Sequence, residues 1–145
     1  MPHSIGIEDA THGSSDAIER HFARYIAAVG ARDWERAIAL FAPDARGNHA
    51  ELGPMPAGRQ GIHAFMAKAP ADWELHVLWH HVHGNYVVYK WQHVLPGTLG
   101  DGARPVFHGY CELHYGRDGF DWLMSFPDWA GMKALKQALA VAPAR

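Results

Sequence analysis

The chain has 145 residues, enough for one domain with a sizeable core and too few for two. Apolar residues make up 48% and charged residues 19%, a globular rather than a disordered composition, and a formal net charge of -2 with interspersed signs gives no basic stripe for nucleic acid and no polybasic membrane anchor. No apolar run approaches ~18 residues, Met1 to Ser15 lacks the order of an export signal, and the single cysteine, Cys111, excludes an internal disulfide and suits a cytoplasmic protein.

Residues 1–13 read as a flexible leader, 14–141 as one domain and 142–145 as a tail. Ile18, Phe22, Ile26 and Val29 recur at helical spacing, and Asp16 with Glu19 resembles a capping box at the helix start. Asp33 is placed to cap a second helix with Trp34, Ala37, Ile38 and Phe41 on its buried stripe, stopped by Pro43. A short strand near Ala45 to Ala50, a Gly/Pro-rich loop from Gly53 to Gly58, and a third helix carrying Ile62, Phe65 and Met66 follow.

From Trp73 the pattern changes to strands. Trp73 to His83 and Tyr86 to Leu95 flank the turn Gly84-Asn85; counting outward pairs Val82 with Val87, His80 with Tyr89, Leu78 with Trp91 and His76 with His93. A second hairpin around Asp118-Gly119 sets Tyr115 against Trp122, Leu113 against Met124 and Cys111 against Phe126. Ala130 to Val141 reads as a closing helix or tail. Helices followed by an antiparallel sheet give an α+β class.

The twelve histidines draw attention to the first hairpin. A directly opposed pair has its Cβ atoms within roughly 6 Å, so His76 and His93 could share a proton or a ligand. Tyr89 and Trp91 would wall an aromatic or alicyclic molecule, and Asp128 could orient a histidine. His81 and His83 form an H-x-H pair that His76, His108, Glu112 or His114 could complete as a metal shell; the expectation adopted is that there is no metal and no cofactor. Bulky groups on both faces of this hairpin point to a homodimer through the sheet.

Several short runs occur in a telling order: Arg32-Asp33-Trp34, then Leu40-Phe41-Ala42-Pro43-Asp44-Ala45, then Gly58-Arg59-Gln60-Gly61-Ile62-His63-Ala64-Phe65. His76 ahead of Gly84-Asn85, Leu113-His114-Tyr115 leading into Asp118-Gly119, and Asp128 continue it, so that Ile18 to Met132 resembles the nuclear transport factor 2-like superfamily, in particular its SnoaL-like branch. The resemblance implies a cone: a curved antiparallel sheet, a cystatin-like roll, with three N-terminal helices packed on it. Against the steroid isomerases of that superfamily, Tyr25 falls at the oxyanion-binding tyrosine, His49 at the catalytic base, and Cys111 or Glu112 near the second donor. Against scytalone dehydratase, His76 falls at one catalytic histidine and Tyr110 and Glu112 at a polar pair.

The expected activity is cofactor-independent proton transfer on a small hydrophobic carbonyl or hydroxyl compound, giving isomerisation, dehydration or cyclisation. Tyr25, His49, His76, His93 and Asp128 are the expected catalytic set, and Phe22, Tyr89, Trp91, Tyr110, Glu112 and Trp122 the expected pocket. A non-catalytic ligand-binding or dimerisation module and a protein-interaction domain are the alternatives.

Overall fold

The computed structural model describes residues 13–141, so the expected leader, save Gly13, and the expected tail lie outside the described residues. Helix α1 spans Ser15–Gly30, α2 Trp34–Ile38 and α3 Arg59–Met66; strands β1 (Phe41–His49), β2 (Gly53–Pro54), β3 (Glu74–His83), β4 (Tyr86–Val94), β5 (Val106–Gly116) and β6 (Gly119–Pro127) follow the chain, and α4 (Trp129–Val141) comes last. The strands form one sheet in the order β2-β1-β6-β5-β4-β3. Every pairing is antiparallel except β1 with β6, which run parallel.

The helices start where short polar side chains can accept a free backbone N–H. Ser14, not Asp16, caps α1 by accepting from the Ala17 N–H at 3.1 Å, which displaces the expected capping box. Asp33 caps α2 as expected, accepting from the Arg36 N–H at 3.1 Å. Helix α1 turns Ile18, Phe22, Tyr25 and Ala28 onto the sheet, where each is almost wholly buried. Helix α2 ends sooner than its apolar spacing suggests. Phe41 already belongs to β1, and the strand bulges between Phe41 and Arg46, a stretch containing Pro43, before pairing regularly with β6.

Both long hairpins depart from simple counting. In the first, the register runs as expected from His83/Tyr86 through His80/Tyr89, then shifts at Leu78, so that Val77 faces Trp91, His76 faces Gln92 and Leu75 faces His93. The expected pairs Leu78/Trp91 and His76/His93 therefore do not form. Leu78 is the unpaired residue of a β-bulge, and it sends Leu78 and Trp79 both to the outer side.

In the second hairpin, Gly116 pairs with Gly119 around Arg117-Asp118, one residue from the expected turn. Gly119 has φ +104°, and a Cβ there would lie 2.5 Å from the Leu40 carbonyl oxygen, so a side chain could not take its place. With Asp121 as a further irregularity, Leu113 faces Leu123, Cys111 faces Ser125 and Tyr110 faces Phe126. The inner face is then Phe107, Cys111, Leu113, Leu123 and Ser125, all buried.

Candidate functional site

The sheet curls around a cavity of about 640 Å³ closed by α1, α3 and α4. Its floor is polar but satisfied. Tyr25 and Tyr89 hydrogen-bond each other, Tyr89 also bonds Cys111, and Cys111 is bonded in turn by Ser125 and Trp91. Burial, reinforced by the Cys111 sulfur, pushes both phenols well above their ordinary range; burial likewise raises the thiol, against the hydrogen bonds it accepts. The floor is neutral near pH 7, so Cys111 is a packed thiol rather than a nucleophile.

An arc of rings runs around the wall. His93 lies 5.3 Å from both Trp73 and Trp91, Trp91 5.2 Å from Phe107, Phe107 6.1 Å from Trp129, and Trp129 5.6 Å from His49, which also meets Phe65 at 5.7 Å. These separations are those of favourable edge and tilted contacts. Gly109 permits the arrangement: a Cβ there would come within 2.6 Å of the Trp91 ring and of the Phe126 carbonyl oxygen.

The two wall histidines present different faces. His49 accepts the backbone N–H of Glu51 and of Leu52 at its Nδ1, both at 3.1 Å. A neutral ring held in this way carries its proton on Nε2 and has no lone pair left for a substrate proton, so the base expected at position 49 is instead a hydrogen-bond donor. Burial lowers its pKa, with Glu51 opposing and Lys68 adding to the effect. In His93 the Nδ1 is enclosed and lacks a hydrogen-bond partner of good geometry, while the ring interacts with the backbone carbonyl of Glu74. Its pKa is lowered by burial first, against the Glu74 carbonyl, with Arg32 lowering it further.

Of the expected site residues, Tyr25, His49, His93, Tyr89 and Trp91 line the cavity. The others do not. His76 projects outward beside Glu74, 3.7 Å away, because of the bulge. Asp128 accepts the Gly131 N–H at 2.9 Å, within the first turn of α4, and lies 3.8 Å from His108, so it acts as a helix cap and not as a partner of the wall histidines. Phe22 is buried behind the wall against Tyr25, Tyr89 and His80. Tyr110, Glu112 and Trp122 belong to the outer face: Tyr110 and Glu112 alternate with the inward Cys111 and Leu113 along β5, and the change of register sets Trp122 against His114 on that same side.

Residues that sequence reasoning missed include Trp73, Phe107, Trp129, Ser125, Arg32, Lys68 and Lys136. Only Trp129, beside the Pro127-Asp128 punctuation, carried a local signal. Among the described residues no group of three or more metal-ligating side chains is arranged to hold an ion, and His81 and His83 are exposed on β3 with rings 6.5 Å apart. No described helix is long and apolar enough to cross a membrane.

The sequence profile of the SnoaL-like domain matches residues 22–122, most of the chain. The chain belongs to the SnoaL-like family. Solved structures similar to this SnoaL-like chain agree on the fold. A candidate ketosteroid isomerase from Kribbella flavida is 20% identical, with 77% of this chain and 78% of that one covered and a TM-score of 0.66. An LEH-like epoxide hydrolase from M. tuberculosis is 13% identical, with 85% and 92% covered and a TM-score of 0.65. A cystatin-like protein of unknown function from Methylobium petroleophilum is 16% identical, with 79% and 78% covered and a TM-score of 0.63. No curated protein matches the chain. Isomerase, hydrolase and unassigned proteins on one fold mean that the reaction must be argued from the side chains of this cavity.

Proposed function

We propose that this SnoaL-like domain binds a flat hydrophobic carbonyl or hydroxyl compound in the cone and moves a proton on it without a cofactor. His93 is the base. The ring meets the Glu74 backbone carbonyl, and the lowered pKa keeps it neutral, with one nitrogen lone pair available as the base near neutral pH. His49 Nε2–H, with the Tyr25 hydroxyl on the floor, is the donor set for the oxygen that gains charge, and Tyr89 spends its one proton holding Tyr25 and Cys111. Removal of a proton from the carbon beside a carbonyl breaks the C–H bond, and its electron pair moves into an enolate. Return of the proton at another carbon isomerises the compound, loss of a β-hydroxyl as water dehydrates it, and attack of the enolate carbon on a second carbonyl cyclises it.

The observation that carries this reading is the pair of backbone N–H groups on His49 Nδ1, which leaves His49 to donate and His93 as the imidazole able to accept. A thermal-shift screen of aromatic and alicyclic ketones identifies ligands, since a compound bound to the folded state raises apparent stability. Exchange of the α-proton in deuterated water then tests the chemistry. His93→Gln should lower exchange by about 10²-fold or more while ligand still binds, and His49→Gln should lower it by a similar factor. Exchange that persists in His93→Gln refutes the mechanism. Ligand binding with no exchange in the unaltered protein instead favours a binding module, a reading supported by floor hydroxyls that already satisfy one another.

Two further features belong to this reading. Leu78, Trp79, Val106, Tyr110 and Phe126 are each two-fifths or more exposed on the outer side, with Trp79 and Tyr110 in ring contact at 5.8 Å, and we read that side as the face of a homodimer. A monomer at micromolar concentration in sedimentation would remove it. The free, buried Cys111 thiol suits a reducing compartment such as the cytoplasm.

A further inference from the structure

The lip of the cavity has a charge opposite to that of the chain. The protein carries a formal net charge of -2, yet Arg32, Lys68 and Lys136 all line the cavity, with Glu74 the one acidic residue among the lining side chains. Glu74 is already engaged, 3.2 Å from Arg104 and 3.7 Å from His76. Among the described residues neither Lys68 nor Lys136 forms an ion pair.

These cations are placed by the fold. Trp129, Met132 and Lys136 follow one another at helical spacing along the cavity side of α4, and Lys68 leaves the end of α3 two residues after buried Met66. Arg32 is held firmly: its guanidinium donates to the Ala69 carbonyl at 2.5 Å and the Pro70 carbonyl at 3.1 Å and lies 5.1 Å from the centre of the Trp34 ring. Its own backbone has φ +57°, a conformation costly for a non-glycine residue and sustained here by those contacts. The fields of Lys68 and Arg32 reach the wall, where they act on His49 and His93 respectively. With His49 Nε2–H as a further donor, the groups free to meet a ligand at this end are almost all donors or cations.

We propose that the cavity selects flat apolar molecules carrying one anionic oxygen group, a carboxylate above all, with the rings inside the aromatic arc and the anion at the lip near Lys68 and Lys136. This rests on the cavity being the binding site argued above. A neutral ligand would leave the lip cations to water, whereas an anion gains attraction both on approach and when bound.

A matched pair of probes tests it: naphthoate and its neutral isostere naphthamide, titrated calorimetrically against the full chain at low and high salt. Naphthoate should bind about tenfold more tightly at low salt, and the preference should shrink as salt screens the lip. Lys68→Met and Lys136→Met should each reduce the preference and the double variant should erase it, while Lys68→Arg retains it. Equal binding of the two probes, or a preference that survives in the double variant, overturns the proposal and leaves the cavity intact as a binding site. If neither probe binds, the cavity reading falls and the proposal falls with it.

Discussion

The closed end of the cone and its open end are made of similar side chains and come out opposite in character. At the closed end Tyr25, Phe41, Phe120, Tyr115 and His21 stack within 4.7 to 6.0 Å of one another, and Phe41 and Phe120 have no exposed surface. At the open end an equally aromatic set from His93 round to Phe65 touches only along an arc and leaves the centre hollow. Backbone anchoring makes the difference. The Phe120 N–H bonds the Leu40 carbonyl at 3.0 Å, and His21 Nε2 reaches that same carbonyl at 2.8 Å, so β6, α1 and the start of β1 are drawn to one point. At the open end α3 and α4 reach the cavity through Phe65 and Trp129, and among the described residues no backbone–backbone hydrogen bond joins these two helices. Filling against hollowness is decided by where backbone partners are shared, not by residue type.

That contrast can be broken at either end. The largest effect should come from Phe120→Ala, which opens a hole where every neighbour is already committed. A loss of about 3–5 kcal/mol in urea unfolding is expected, with ligand affinity of the remaining folded protein nearly unchanged. Loss of binding in step with stability would show that the two ends are not separable. Gly109→Ala strikes the open end, forcing a methyl group toward the Trp91 ring and the Phe126 carbonyl. It should cost about 1–3 kcal/mol and also weaken ligand binding.

Acid titration compares the two ends within one experiment. His21 at the closed end and His49 and His93 at the open end all have pKa values lowered from 6.5, burial being the main cause in each. Each therefore contributes stability that is intact above 6.5 and is lost as pH falls toward the folded-state value, because the unfolded chain takes up its protons first. Unfolding midpoints should fall on the acid side, and His21→Gln should flatten that slope even when ligand occupies the cavity. A bound ligand should alter only the share belonging to His49 and His93. The smallest effect is expected for His76→Ala, within about 0.5 kcal/mol in stability and with unchanged proton exchange, since this side chain is half-exposed and faces away from the cavity. A hundredfold loss of exchange in that variant would restore the role the sequence suggested for it.

Much of the frame was legible because it is written locally. The Asp33 cap, the Gly84-Asn85 turn, the first pairs beyond that turn and the switch from helical to strand spacing all depend on neighbours a few residues apart. The site was less legible because it depends on two irregularities with no signature of their own. Nothing in Val77-Leu78-Trp79 marks a bulge, as each residue suits a regular strand. Asp118-Gly119 is a stronger dipeptide signal than Arg117-Asp118, so sequence alone sets the turn one residue too late. Those single-residue differences moved His76 and Trp122 out of the site, whereas simple alternation along β5 sets Tyr110 and Glu112 opposite the inward Cys111. Arg32, Lys68 and Lys136 could not be found by pattern at all, since only tertiary placement brings an inter-helix corner, the end of α3 and a face of α4 around one opening.

Leu78 also separates shape from chemistry. It is the one residue of β3 skipped by the pairing with β4, so deleting it would leave Val77 against Trp91, Leu75 against His93 and every ring of the arc on the strand face it now occupies. What would go is the local bend that an extra residue imposes on a ladder. A shortened chain of this kind would keep the full inventory of cavity side chains on a straighter wall, and its ligand preferences would report the contribution of curvature by itself.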